Sequence, residues 1–92
     1  MIKSELVKKL KEKYQNLYLK DIGVVVEAVL GEISNTLARK DRVELRGFGT
    51  FSVRRREPRS ARNPKTGEVV YLGERHSTYF RAGKELRDRV NR

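Results

Sequence analysis

Six cations stand within twelve residues: Arg54, Arg55, Arg56, Arg59, Arg62 and Lys65, opposed only by Glu57. That run carries +5 of the chain's net +10. A guanidinium presents a planar fork of donors that matches phosphate oxygens two at a time. So dense a cluster repels itself unless a polyanion neutralises it, although a charged strand edge that blocks aggregation gives a similar pattern. Catalytic chemistry finds no footing elsewhere. There is one histidine, His76, and no cysteine. No Asp/Glu constellation stands at ligand spacing, so no metal or cofactor is expected. Ser52, Ser60 and Ser77 have no base, and an enzyme is not expected.

The arginines need a support. Arg42-Val43-Glu44-Leu45-Arg46 alternates charged and apolar residues, as a half-buried strand does. Gly47-Phe48-Gly49 reads as a turn, and Thr50-Phe51-Ser52-Val53 alternates again before charge takes over. Asn63-Pro64-Lys65-Thr66-Gly67 is the strongest turn signal in the chain. The returning strand runs through Val70 and Leu72 to Tyr79 and Phe80. Residues 54–74 are therefore expected as one hairpin with almost nothing to bury, mobile until a partner orders it. Arginine favours the negative potential of a narrow minor groove. Pro64, at the tip, either only shapes the turn or acts as an apolar wedge that enters a base step and kinks the duplex.

The first half has helical spacing. Ile2, Leu6, Val7, Leu10 and Tyr14 share one side of a helix, and a break follows at residues 15–17. A second helix is expected over about residues 19–39. Its main stripe is Ile22, Val25, Val26, Val29, Leu30, Ile33 and Leu37, with Val24, Ala28 and Gly31 on the far side. A helix apolar on two sides is clamped between two neighbours, and the first helix supplies only one. Lys8, Lys9, Lys11 and Lys13 read as a solvated face, with Glu5 and Glu12 in reach of Lys9 and Lys8. A short closing helix begins near Gly83. The 92 residues make one domain at most. No apolar run approaches the roughly 20 residues of a spanning helix, and no signal peptide is expected at the start.

Three runs carry a resemblance: Gly47-Phe48-Gly49-Thr50-Phe51, Arg62-Asn63-Pro64-Lys65-Thr66-Gly67 and Phe80-Arg81-Ala82-Gly83-Lys84-Glu85-Leu86. They resemble the HU/integration host factor family of bacterial DNA-bending proteins, along essentially the whole chain. The resemblance implies an α+β fold: an intertwined dimer with a helical base, a three-stranded antiparallel sheet and a long β-hairpin arm. Residues 1–40 would be the helical dimerisation part, 41–53 and 75–82 the sheet body, 54–74 the arm, and 83–92 the C-terminal helix. Val29, Ile33, Leu37, Leu45, Phe48, Phe51 and Phe80 would form the dimer core. DNA would meet Arg54, Arg56, Arg59, Arg62, Asn63, Lys65 and Arg75 along the arm, with Pro64 as the wedge. Lys3, Arg81, Lys84 and Arg87 would hold the flanking phosphates.

Within the family, Glu44-Leu45-Arg46 and the ending from Gly83 resemble the β subunit of integration host factor. That branch implies an arginine at Arg46, held by an acid at Glu44, reading a preferred site. Its partner would be an α-like subunit, its place the bacterial cytoplasm and nucleoid. Its roles would be recombination, the regulation of transcription and translation, and DNA condensation. The alternative is an HU-like homodimer that compacts DNA without sequence preference. A basic RNA-binding protein is a further rival, disfavoured because the arm offers only Tyr71 for base stacking. Four positions depart from the family pattern: Ser60-Ala61 for Thr-Gly, Thr78 for proline, and Lys40 for a helix-ending glycine. Lys40 must then take a positive φ or end the helix another way.

Overall fold

The computed structural model describes all residues, 1–92. It divides into two compact units, residues 1–35 and residues 36–92. The first holds α1 (Lys3–Lys13) and most of α2 (Leu19–Ala38). Leu10 of α1 and Tyr14, just after it, line one apolar groove with Ile22, Val25 and Val26 of α2. Glu5 in the first turn of α1 and Lys11 and Lys13 in its last turn complement the helix dipole. Lys11 does more than the solvated face expected of it. Its Nζ donates to the backbone carbonyl of Gln15 at 2.8 Å and also to that of Leu17, which ties down the turn after α1. No helix is long and apolar enough to cross a membrane.

α2 ends in a Schellman arrangement. The N–H of Lys40 donates to the Leu37 carbonyl at 2.9 Å, and that of Asp41 to the Thr36 carbonyl at 3.2 Å. Lys40 takes the left-handed conformation, with φ 63°. A side chain there costs about 1 kcal/mol that glycine avoids. Lys40→Gly should therefore raise the thermal midpoint. An unchanged or lower midpoint in a calorimetric scan would show that the cap carries no strain.

The second unit contains β1 (Val43–Leu45), β2 (Gly49–Arg56), β3 (Arg59–Arg62), β4 (Val69–Leu72), β5 (Arg75–Ala82) and α3 (Lys84–Val90). β1, β2 and β5 form an antiparallel sheet in that order. β3 and β4 pair separately as a two-stranded ribbon. At Gly49 the chain passes close beneath a ring. A Cβ there would collide with Phe80 and lie 2.6 Å from the Arg81 carbonyl oxygen. Phe80 sits 4.6 Å from Phe51 and 5.4 Å from Phe48, centroid to centroid.

The hairpin is not one continuous ladder, as the sequence suggested. The strands break together at Glu57-Pro58 and Gly73-Glu74, between the sheet and the ribbon. Pro58 has no N–H to give a ladder and restricts the residue before it. Ala61, at one of the positions that depart from the family pattern, faces Val70 across the ribbon.

Only two apolar side chains, Ile22 and Val26, are buried, at 6% and 8% exposure. Val29 and Phe48 remain 54% and 45% exposed, and Leu45 and Phe80 are also exposed. Ile33, Leu37 and Phe51 are half-buried. Two buried side chains cannot offset the conformational entropy of a chain this long. Much of the apolar surface stays open to solvent.

Candidate nucleic-acid interface

Strand register sorts the cations by face. β2 and β5 pair Thr50 with Arg81, Ser52 with Tyr79, Arg54 with Ser77 and Arg56 with Arg75. Directly opposed residues share a face, and alternate residues along a strand share it too. Arg54, Arg56, Arg75 and Arg81 therefore project from one face, among Thr50, Ser52, Ser77 and Tyr79. The other face carries Phe51, Val53, Phe80 and Ala82, and ends in Arg55 and His76. The sheet is thus apolar on one side and cationic on the other. Like charges directly opposed, as Arg56 and Arg75 are, destabilise a ladder unless something neutralises them.

No carboxylate neutralises these four. The four ion pairs of the molecule engage only Lys3, Arg42 and Arg55 of its 22 cations. Neighbouring strand residues hold two of the arginines instead. Arg54 lies over the Tyr79 ring, its Cζ 3.5 Å from the centroid. The Nε of Arg56 donates to Ser77 Oγ at 3.0 Å. Neither Tyr79 nor Ser77 was legible as part of the site. Both become visible only when the β2–β5 register is known.

Arg55 points the other way. Its guanidinium donates to Glu57, just past the end of its own strand, and, at 3.0 Å, to Glu74 at the other side of the break. The pair with Glu74 is the main reason that the Arg55 pKa is raised and the Glu74 pKa lowered. One of the six clustered cations is thereby satisfied within the protein, at the base of the ribbon. A carboxyl whose folded pKa is depressed contributes stability above its ordinary pKa. That contribution is lost as the pH falls through the folded value. Both partners are solvent-exposed, so the effect is local. Acidification below about pH 4 should raise the amide mobility of residues 59–72 in NMR relaxation. Glu74→Gln should show that mobility already at neutral pH, and a Glu74→Gln ribbon as ordered as the wild type at neutral pH would contradict it.

The ribbon tip is built by its own polar groups. Asn63 Oδ1 accepts from the Lys65 N–H at 2.9 Å, an Asx turn. The Asn63 N–H donates to the Glu68 carbonyl and the Gly67 N–H to the Asn63 carbonyl, each at 2.8 Å. Gly67 has φ 74°, and Arg62 Nη1 donates to its carbonyl at 3.1 Å. Asn63 and Arg62 therefore hold the turn that carries exposed Pro64 and Lys65 outward. Arg59, opposite Leu72, has no partner.

The other expected contacts are scattered. Lys3 is ion-paired with Glu27 in the helical unit. Lys84 and Arg87 are exposed on α3, three residues apart. The expected Glu44–Arg46 couple does not form. Glu44 instead meets Arg42, just before β1, at 2.7 Å. β1 stops at Leu45, so Arg46 lies in the following turn and leaves the two-residue alternation.

Known proteins sharpen this picture. The model of the family described as bacterial DNA-binding protein matches residues 1–91. A structure of HU from Anabaena crystallised with DNA is 38% identical, covering 98% of this chain and 97% of that one, with a TM-score of 0.87. A point mutant of HU from Thermotoga maritima is 24% identical over 98% of this chain and 99% of that one. Its TM-score of 0.71 speaks to the fold alone. The three helices, the antiparallel sheet and the projecting hairpin are the HU fold. The chain belongs to the HU/integration host factor family of bacterial DNA-binding proteins, which are not enzymes.

Proposed function

We propose that this chain is an architectural protein of the nucleoid that grips duplex DNA and bends it, as an HU-like homodimer that compacts DNA without sequence preference. The observation that carries this reading is the one-sided sheet: four arginines free of carboxylates on one face, apolar residues on the other, and a ribbon beyond. Arg59 and Lys65 on the ribbon and Arg54, Arg56, Arg75 and Arg81 on the sheet would neutralise backbone phosphates. Lys84 and Arg87 would hold the flanks. Lys3, already paired with Glu27, would be the weakest member of the set. Pro64, presented by the Asn63 turn, would enter a base step. Phosphate contacts of this kind position DNA without reading its sequence.

A second copy is the cover the apolar surface calls for. Val29, Ile33, Leu37, Leu45, Phe48, Phe51 and Phe80 would close on their counterparts, and the dimer would carry two arms. The homodimer is favoured over the β subunit of integration host factor by two observations. The likeness to HU from Anabaena runs the length of the chain. Glu44 is engaged by Arg42, so the couple implied for reading a preferred site is not assembled.

Expressed alone, the chain should purify at twice its 10.7 kDa mass with no companion. Its affinities for unrelated duplexes of equal length should agree closely. Co-purification of a second, similar chain, or a strong preference for one sequence, would favour the heterodimeric reading instead.

A further inference from the structure

Two arginines of the cationic face are held by residues that carry no charge themselves. Tyr79 and Ser77 stand two residues apart on β5 and so share that face. Each reaches an arginine of β2: Tyr79 the guanidinium of Arg54 at 3.5 Å, Ser77 the Nε of Arg56 at 3.0 Å.

We propose that Tyr79 and Ser77 are positioning residues for DNA binding, which pre-orient Arg54 and Arg56 toward the phosphate backbone. The proposal rests on the reading that this face binds DNA. An unrestrained arginine samples many rotamers, and holding it for a phosphate costs entropy on binding. A ring at stacking distance covers one face of the Arg54 guanidinium and restricts its torsions, while the N–H edge stays open for in-plane bonds to phosphate. Ser77 occupies only the Nε of Arg56 and leaves its two terminal nitrogens for a bidentate contact. A carboxylate in either place would fix the arginine equally well but would cancel the charge that draws the phosphate. A neutral ring and a hydroxyl orient without cancelling. Arg55, on the opposite face, has two carboxylates and is thereby withdrawn from this task.

The test is a double-mutant cycle on Arg54 and Tyr79, read as affinity for a duplex across a salt series. Tyr79→Leu should weaken binding about two- to fivefold, as loss of an exposed cation–π contact would. The slope of log affinity against log salt should stay unchanged, because Arg54 still reaches its phosphate. Tyr79→Phe, which keeps the ring, should bind like the wild type. Arg54→Ala should lower the slope by about one, and Tyr79→Leu added to it should cost nothing more. Ser77→Ala should behave toward Arg56→Ala in the same way. Equal losses from Tyr79→Leu with and without Arg54, or failure of Tyr79→Phe to bind normally, would overturn the positioning role. An Arg54→Ala protein with unchanged affinity and slope would instead overturn the reading that this face binds DNA.

Discussion

Raising monovalent salt from about 50 to about 200 mM should weaken binding to a duplex by roughly 10³–10⁵-fold, if about 6–10 phosphates are engaged. The expectation follows from where the charge sits. Each neutralised phosphate releases condensed counterions, and that release is worth less as bulk salt rises. The ribbon and the cationic face hold their arginines without carboxylates, so these charges are available to DNA. The effect should divide by residue. Arg59→Ala, which removes a cation with no partner, should lower the salt slope by about one. Arg55→Ala should leave it almost unchanged, because Glu57 and Glu74 already hold that guanidinium. A titration with little salt dependence would remove the electrostatic basis of the proposed grip. Equal slopes for the two variants would show that pairing with Glu57 and Glu74 does not withdraw Arg55 from DNA.

Pro64→Ala should have the second large effect, and a more selective one. The turn holding Pro64 is closed by Asn63, Gly67 and Arg62, none of which depends on the proline ring. Its shape should survive the substitution. What is lost is the rigid apolar surface that would replace stacking at an opened base step. Opening a step costs a few kcal/mol. Straight duplex demands that cost in full, whereas DNA already kinked by a mismatch or gap demands little. The loss of affinity should therefore be on the order of tenfold larger on straight duplex than on pre-kinked DNA. Equal losses on both substrates would mean that Pro64 shapes the turn and nothing more.

How much of this was legible in the sequence depended on the range of the interactions. Local patterns gave the strands, the tip turn and both long helices, because alternation and helical spacing are properties of neighbouring residues. Lys40 was legible as an exception, and it took the positive φ that a glycine would normally supply. The break at Glu57-Pro58 was missed, although Pro58 is a local signal. The charged residues on both sides of it, Arg54 to Arg56 and then Arg59 and Arg62, mask that signal by reading as one continuous ribbon. Non-local contacts were out of reach. That Tyr79 lies under Arg54, and that Arg55 faces away from Arg54 and Arg56 to meet Glu74, follows only from the β2–β5 pairing. Lys11, one of four similar lysines, is set apart by two carbonyls beyond the end of its helix. The Glu44–Arg46 couple failed for a related reason. Two-residue spacing guarantees a shared face only while the strand continues, and β1 ends at Leu45.

The purified chain, without any companion, should bend DNA. Energy transfer between dyes on the two ends of a short duplex tests it most directly. Adding wild-type protein at low salt should bring the ends together and raise the transfer efficiency. Pro64→Ala at saturating concentration should raise it much less. Saturation of the duplex by wild-type protein with no change in end-to-end transfer would contradict the account.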